Sequence, residues 1–211
     1  MKQLELNEER VQKTRKAWDE RYTRARSRPS YPDEHLVRLL SAVQPGPALE
    51  LGCGSGRHLE LLYEQGFSPV YGTDTSAKSR EMCAERYPEA RIRAFQYESL
   101  RLDLPDHSQS AIVCWGVLHY NSEADIQALL TETRRLLRPG GVLLGTLRAA
   151  GDTHFADNPD MAQASLRLFS QDEARAILGE HYAHVELGYS ERSPVGQLER
   201  RICHWTFRCS P

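Results

Sequence analysis

The spacing of apolar residues first predicts a helical N-terminal part. In the charged segment from residue 4 to about residue 25, Leu4, Val11 and Trp18 fall roughly on one stripe, which is typical of an amphipathic helix. "DEHLVRLLSAV" predicts a second helix that ends before Pro45. The prolines of "SRPSYP" separate the two segments. The pattern therefore predicts an N-terminal helical cap, residues 1–33, and a second helix that opens the next part of the chain.

After this part, short apolar runs alternate with segments of helical periodicity. The runs "PALEL", "PVYGTD", "ARIRAF", "SAIVCW" and "GVLLGTL" predict buried strands. Helices are predicted between them, and the last of these begins with a Ser122-x-x-Asp125 cap and ends at Pro139-Gly140. Such alternation predicts an α/β fold whose mostly parallel sheet carries helices on both faces. We assign this core to residues 34–148.

The C-terminal part, residues 149–211, has a different pattern. "AAGDTHFADNPDMAQASL" is polar and irregular, and we interpret it as an insertion that forms a loop over a site. "SQDEARAILGE" predicts a helix, since Ser170 and Glu173 have the spacing of a capping box. "AHVELGY" and "RRICHWTFRC" predict an antiparallel strand pair that closes the sheet edge. With this pair the sheet has seven strands, and the whole chain forms one domain over 1–211.

Composition narrows the classes of function. A chain of 211 residues is long enough for one domain with a sizeable core, and its net charge of −2 provides no basic field that would recruit nucleic acid. No apolar run approaches the ~20 residues that span a bilayer, and "MKQLELNEER" is not a signal peptide. The five cysteines have no metal-ligand spacing. We therefore expect free thiols, a cytoplasmic protein, no metal, and no membrane or nucleic-acid partner.

The candidate chemistry lies in "LELGCGSG", where a carboxylate and alternating glycines follow an apolar run. Glycines between a strand and a helix permit positive φ angles and leave N–H groups directed at a ligand. This spacing, Glu-x-Gly-x-Gly-x-Gly, differs from the G-x-G-x-x-G of dinucleotide-binding folds. Asp74 ends the second predicted strand, where a carboxylate can accept both hydroxyl groups of a ribose.

Taken in order, "ALELGCGSGRHLELL", "VYGTDTS", "CWGVLHY" and "RRLLRPGGVLLGTL" resemble the class I S-adenosylmethionine-dependent methyltransferases, of the small bacterial methyltransferase-domain type. The resemblance covers about residues 34–150 and implies a Rossmann-like fold that binds S-adenosyl-L-methionine and releases S-adenosyl-L-homocysteine. It implies that backbone at the glycine turn holds the methionine part, that Asp74 binds the ribose and that Thr75 packs beside the adenine. The acid for the adenine amino group is Glu98 by position, although relatives have a Gly-Asp pair where this chain has Tyr97-Glu98. The implied cofactor-binding set is Glu50, Gly52, Cys53, Gly54, Gly56, Asp74, Thr75, Glu98, Ser99, Trp115, Gly116 and Tyr22.

At the methyl end the resemblance implies that His119 and Tyr120 position the acceptor or remove its proton. A general base is needed only for a nucleophile that arrives protonated. The basic, aromatic segment between residues 13 and 28 is interpreted either as a lid that meets a substrate anion or as a solvated helix face. The candidate substrate-binding residues are Trp18, Arg26, Arg28, Tyr31, Arg148, His154 and Phe155.

Several alternatives remain open at this stage. Asp74 can cap a helix, Glu98 can be an ordinary loop acid, and His119 can be a structural hydrogen-bonding residue. We expect methyl transfer to an O or N atom of a small polar metabolite or sugar-like substrate by a monomer or homodimer. The alternatives are methylation of a thiol or a sulfur, selenium or tellurium anion, a non-catalytic S-adenosylmethionine-binding protein, and a nicotinamide- or nucleotide-binding protein. No feature of the sequence favours a protein or tRNA substrate.

Overall fold

A computed structural model describes residues 2–24, 28–93, 100–154 and 166–211 of the chain, with the side chains of residues 2–11 and 13 left out. The helices and strands alternate through most of its length, as the apolar pattern predicts. In chain order they are α1 (Lys2–Thr23), α2 (Glu34–Leu40), β1 (Ala48–Leu51), α3 (Arg57–Glu64), β2 (Val70–Thr73), α4 (Ala77–Arg86), β3 (Arg91–Arg93), β4 (Gln109–Cys114), α5 (Glu123–Leu136), β5 (Leu137–Arg148), α6 (Gln171–Gly179), β6 (His184–Arg192) and β7 (Ile202–Ser210).

The seven strands form one sheet in the order β3-β2-β1-β4-β5-β7-β6. The first five are parallel, whereas β7 pairs antiparallel with both β5 and β6. This arrangement confirms the predicted α/β fold with an antiparallel C-terminal pair. Because parallel strands end at the same edge of the sheet, the segments that follow β1, β2, β4 and β5 lie close together.

Burial on both faces of the sheet explains why the short apolar runs of the sequence form strands. Every residue of β1 and of β4 is buried, as expected for central strands covered on both faces. One cluster of buried side chains includes Leu49, Ile112 and Leu143, and a second includes Ala48, Val113 and Leu144. Neighbouring residues along a strand point to opposite faces, so each strand contributes to both clusters.

The predicted helix caps are confirmed. Ser122 accepts a hydrogen bond from the N–H of Asp125 at the start of α5. At the start of α6, Ser170 and Glu173 form both bonds of a capping box.

One predicted helix end is wrong, and another helix ends before Pro45 as predicted but is shorter than the predicted segment. α5 ends at Leu136, and Pro139-Gly140 lies in the first part of β5, because Leu137 already pairs with Gln109. The register then shifts before Ala111 pairs with Val142, and Gly140 takes a φ of 75° within this irregularity. α2 ends at Leu40, well before Pro45, with Ser41 as its C-cap.

α1 lies against α4 through a polar contact. The Asp19 carboxylate accepts a hydrogen bond of 2.5 Å from the Ser76 hydroxyl and one of 3.2 Å from the Lys78 N–H. Ser76 is itself the N-cap of α4 and accepts from the N–H of Ser79. A carboxylate is favourable at this position because the first N–H groups of a helix carry partial positive charge.

Candidate cofactor and acceptor site

The turn after β1 brings its glycines into close contact with the side chains of Val117 and Tyr22. Gly52 and Gly54 have φ angles of 74° and 54°, which L side chains rarely adopt. A Cβ on Gly52 would lie 2.4 Å from Cγ2 of Val117, and one on Gly54 would lie 2.6 Å from the Tyr22 hydroxyl oxygen. The N–H groups of Gly52 and Cys53 both donate to the Thr73 carbonyl, which ties the turn to the end of β2. This is the strand-to-helix turn that the sequence predicts.

Asp74 lies beside this turn, directly after β2. Its two oxygens accept hydrogen bonds of 2.8 Å from the N–H groups of Gly54 and Ser76. The side chain is buried, and burial raises the pKa of its carboxyl. The two hydrogen bonds act in the opposite direction and lower this pKa. A carboxylate has about four acceptor positions, so the two backbone bonds leave acceptor capacity for hydroxyl groups of a ligand.

Glu50 forms a buried pair with a residue that sequence reasoning missed. Its Oε1 lies 2.9 Å from Nδ1 of His58, and both side chains are 3% exposed. Oε2 of Glu50 and Nε2 of His58 have no hydrogen-bond partner among the described residues. Burial raises the pKa of Glu50, and the contact with His58 opposes this shift. His58 lies on α3, directly after the turn. The sequence alone does not show that its side chain is buried against Glu50, because this contact exists only once the fold has formed.

The N-terminal part covers the turn. Burial raises the pKa of the Tyr22 phenol. The nearby acidic groups of Asp74, Cys53 and Glu50 raise it further. The chain beyond α1 continues across the turn, where the Pro29 carbonyl accepts from the Ser55 hydroxyl at 2.5 Å. The arrangement fits the expectation of a cap, and Tyr22 is its closest side chain to the glycines.

The other predicted cofactor residues lie around the same edge. Trp115 and Gly116 follow β4, and the Gly116 N–H donates to the Thr146 hydroxyl at 2.9 Å. Cys53 is buried in the turn, and Gly56, at a φ of 80°, is the N-cap of α3. Thr75 is half-buried beside Asp74.

A second group of predicted residues lies at the ends of β4 and β5. His119 and Tyr120 belong to a 3₁₀ turn, Leu118–Tyr120, with their ring centroids 4.4 Å apart. The ring of Trp18 from α1 packs edge-on against Tyr120 at 5.1 Å. His119 is 1% exposed, and burial, then the charges of Arg148 and His204, lower its pKa well below the usual range. An imidazole of this kind is uncharged near neutral pH.

Arg148, at the end of β5, extends this group. It is buried, and its Nη1 donates to Oδ2 of Asp152 at 2.9 Å. His204 lies directly opposite Arg148 on β7. Burial and, to a lesser extent, the charge of Arg148 lower the pKa of His204 to about 4. His154 lies beside Asp152 and donates its backbone N–H to Oδ1 at 3.0 Å. Asp152 and His204 were missed from the sequence. Asp152 reaches Arg148 through the turn that follows β5, whereas only the pairing of β5 with β7 brings His204 there.

Not every predicted substrate residue joins these groups through its side chain. Tyr31 is 83% exposed and contributes its carbonyl to Arg57, while Arg28 is exposed and donates to the Tyr22 carbonyl. Arg26, Glu98, Ser99 and Phe155 lie outside the described residues.

Two classes of feature are absent from the part of the chain that the structure describes. No cluster of three or more His, Cys, Asp or Glu side chains there could hold a metal ion. Within the same residues, no helix is long and apolar enough to cross a membrane.

Comparison with known proteins finds similarity to methyltransferases over part of the chain. Residues 48–141 match a family described as "Methyltransferase domain". The tRNA N(3)-methylcytidine methyltransferase Mettl2 of Drosophila melanogaster is 31% identical over 113 residues, which are 49% of this chain and 35% of that protein. The malonyl-[acyl-carrier protein] O-methyltransferase of Salmonella typhimurium is 29% identical over 151 residues, 69% of this chain and 54% of its own length. The chain thus spans about a third to a half of these curated relatives.

A solved structure extends the likeness of fold over most of the chain. The S-adenosylmethionine-dependent methyltransferase of Methanosarcina mazei superposes with a TM-score of 0.63 at 16% identity, covering 84% of this chain and 97% of its own. The shared fold includes the sheet whose edge carries both groups of residues.

Proposed function

We propose that the chain is a class I S-adenosylmethionine-dependent methyltransferase that transfers a methyl group to an oxygen or nitrogen atom of a small polar molecule. The observation that carries this proposal is the cradle formed by the glycine turn and Asp74. When bound, S-adenosylmethionine would supply an activated methyl carbon that a nucleophile attacks, while the S–CH3 bond breaks and neutral S-adenosylhomocysteine leaves. The protein's own task is then to hold that nucleophile in line, ~3 Å from the carbon, and to exclude water.

The residues of the cradle fit this cofactor. The glycines of the turn add no side chain of their own between a ligand and the backbone, and Asp74 has acceptor positions for ribose hydroxyls. The buried Oε2 of Glu50, which has no partner within the described residues, suits the cationic ammonium of the methionine part. Backbone at Glu50, Gly52 and Gly54 would hold that part, and Tyr22 would cover it from α1.

The acceptor would lie above the ends of β4 and β5. Trp18 and Tyr120 form an aromatic wall there, and Arg148, His119 and His154 supply polar groups. Because His119 is uncharged near neutral pH, it can accept a proton or orient an acceptor through a hydrogen bond. A net charge of −2 provides no basic field for a polyanion, which favours a small molecule over the tRNA of the Mettl2 relative.

All five cysteines are buried and unpaired, which agrees with a reducing compartment, and we place the activity in the cytoplasm. We propose that the chain forms a single unit, with residues 1–33 as the cap, 34–148 as the cofactor-binding core and 149–211 as the substrate-side part.

The test is calorimetry with S-adenosylhomocysteine and, separately, with NAD. We expect binding of S-adenosylhomocysteine only, and a loss of about tenfold or more in affinity for Asp74→Ala, because charge-assisted hydrogen bonds of ~1.5–3 kcal/mol are removed. Asp172→Ala, an exposed acid in the first turn of α6, is the matched control and should retain wild-type affinity. Thermal unfolding of each variant separates lost binding from lost folding.

Binding of NAD instead, or no effect of Asp74→Ala on a folded protein, would overturn the cofactor assignment. Turnover is then measured as transfer of labelled methyl groups to panels of hydroxyl, amine, thiol and carboxylic acid compounds and to tRNA. Tight binding without transfer to any of them would support the alternative of a non-catalytic binder.

A further inference from the structure

A buried acid and a buried histidine lie on either side of the glycine turn along the chain. Glu50 belongs to β1, before the turn, and His58 belongs to α3, after it. Oε1 of Glu50 lies 2.9 Å from Nδ1 of His58, and both side chains are 3% exposed. An ionised carboxylate can only accept hydrogen bonds, so Nδ1 of His58 is the donor in this pair.

The ring of His58 is held by packing. It lies edge-on to the ring of Trp115, which follows β4, with the two centroids 6.4 Å apart. Its neighbours Leu59 and Leu62 on α3 are buried as well. A ring held in this way keeps one orientation, and its hydrogen bond then fixes the carboxylate of Glu50.

The second oxygen of Glu50 is left open. Oε2 is buried and has no hydrogen-bond partner among the described residues. Buried polar atoms in folded proteins are nearly always bonded, so an atom like this one marks a place where a ligand supplies the partner. A carboxylate oxygen bonds only to donors, and a charged donor forms the stronger bond. The open oxygen therefore favours an ammonium group.

His58 acts on the charge of Glu50 as well as on its position. Burial raises the pKa of Glu50, whereas the hydrogen bond and the charge of His58 lower it. The other groups near Glu50 within the described residues are Arg57 of α3, Asp74 after β2, the Tyr22 phenol of α1 and the Cys53 thiol of the turn. Arg57 lowers the pKa of Glu50 and Asp74 raises it, so His58 is not alone in opposing burial.

On the basis of the proposed function, we propose that His58 is a positioning residue for the methionine end of the cofactor. It donates to Oε1 of Glu50 and fixes the carboxylate so that Oε2 accepts a hydrogen bond from the α-ammonium group. His58 acts through Glu50, and Glu50 makes the contact with the ligand.

This role predicts a particular pH dependence of binding. The ionised carboxylate attracts an ammonium group and the protonated one does not, so affinity for a ligand with that group rises with pH through the pKa of Glu50. Loss of His58 removes two of the causes that lower this pKa, and the rise then moves to higher pH. A ligand without an ammonium group should show neither effect.

Calorimetry with the full chain compares S-adenosylhomocysteine with 5′-methylthioadenosine, which has the nucleoside and the sulfur but no amino-acid part. His58→Leu has a similar volume and no donor. Near pH 6.5 we expect it to lose about tenfold or more in affinity for S-adenosylhomocysteine, and less near pH 8.5, while affinity for 5′-methylthioadenosine changes less than about twofold. His58→Asn, whose side-chain N–H can replace Nδ1, should recover most of the loss. His184→Leu, an exposed residue of β6, is the matched control.

The outcomes separate this inference from the proposed function. Wild-type protein that does not bind S-adenosylhomocysteine would overturn both. Unchanged affinity in folded His58→Leu, or an equal loss for the two ligands at every pH, would overturn the inference and leave the proposed function standing.

A second background covers the case in which His58→Leu does not fold. In Glu50→Gln no charge is buried at this position, and adding His58→Leu should change affinity for S-adenosylhomocysteine less than about twofold, because His58 acts only through the carboxylate. A further tenfold loss in the double variant would contradict the positioning role.

Discussion

At the scale of single residues, the buried pair of Glu50 and His58 links stability to the candidate cofactor site. Burial raises the pKa of Glu50, so the folded chain keeps this proton at pH values where the unfolded chain, near the ordinary 4.5, has released it. The contribution of Glu50 to the free energy of unfolding therefore falls as the pH rises from the pKa of Glu50 in the unfolded chain through its pKa in the folded chain. The protein keeps an ionisable group where it reduces stability, which is typical of functional sites.

Replacing Glu50 by Gln should remove this pH dependence. The amide oxygen can still accept from His58, and no charge is buried, so we expect the variant to gain stability relative to wild type as pH rises from 4.5 to 7.5. The gain is about 1.4 kcal/mol for each pH unit over which the two states differ by one proton. Urea unfolding at several pH values measures it, with Glu64→Gln, an exposed residue at the end of α3, as control. Parallel profiles for wild type and Glu50→Gln would contradict the prediction.

At the scale of elements, α1 is attached to the rest of the molecule through Asp19. Its carboxylate accepts hydrogen bonds from the Ser76 hydroxyl and the Lys78 N–H at the start of α4. Trp18 and Tyr22 lie on either side of Asp19 along the helix. This polar contact between helices therefore helps to hold the aromatic cap over the glycine turn, together with the packing of Trp18 on Tyr120. α1 itself is strongly polar, and helices of that kind depend on tertiary contacts for their stability.

Asp19→Ala should therefore release α1 while the sheet remains folded. The cost should be about 1 kcal/mol, the usual effect of removing a helix cap, and trypsin should cleave after Arg15, Lys16 or Arg21 several-fold faster than in wild type. Mass spectrometry of the first fragments identifies the sites. Glu20→Ala, an exposed neighbour whose carboxylate lies 4.0 Å from Lys16, should keep the wild-type rate. Equal cleavage of both variants would show that Asp19 does not hold the helix.

The same elements show what the apolar pattern could predict. Short apolar runs were enough for β1, β2 and β4, because a strand covered on both faces consists almost wholly of buried residues. The start of β5 was not predictable, since Pro139-Gly140 is a common helix stop and only pairing with Gln109 makes it part of a strand. The N-cap at Ser122 and the capping box at Ser170 were predictable because all their bonds are local.

At the scale of the whole molecule, long-range strand pairing decides which residues meet. The glycine turn and Asp74 were accessible from sequence, because each directly follows an apolar run and parallel strands end at one edge. His204 was not, since β7 must return antiparallel to β5 before His204 faces Arg148. His58 was missed for the same reason at shorter range, because it depends on how α3 packs on β1.

That pairing also predicts how the chain unfolds. Gly145 lies between Cys114 on β4 and Phe207 on β7, and a Cβ there would come within 2.4 Å of the Cys114 carbonyl oxygen and of the Phe207 ring. Gly145→Ala should lower the free energy of unfolding by about 1–3 kcal/mol, because a closely packed core cannot accommodate an added methyl group. Gly179→Ala, with no atom within 4 Å of the added Cβ, is the matched control and should be neutral or stabilising.

Both variants should unfold in one transition if cap, core and closing strands form a single unit. Circular dichroism follows the helices, while fluorescence follows Trp18 on α1, Trp115 after β4 and Trp205 on β7, so the two signals sample all three parts. We expect their urea midpoints to coincide in wild type and to shift together in Gly145→Ala, because the methyl group strains the pairing that joins β4, β5 and β7. Separate midpoints would mean that the C-terminal strands or the cap unfold independently. Because the acceptor site is formed by all three parts, it would then open before the cofactor cradle is lost.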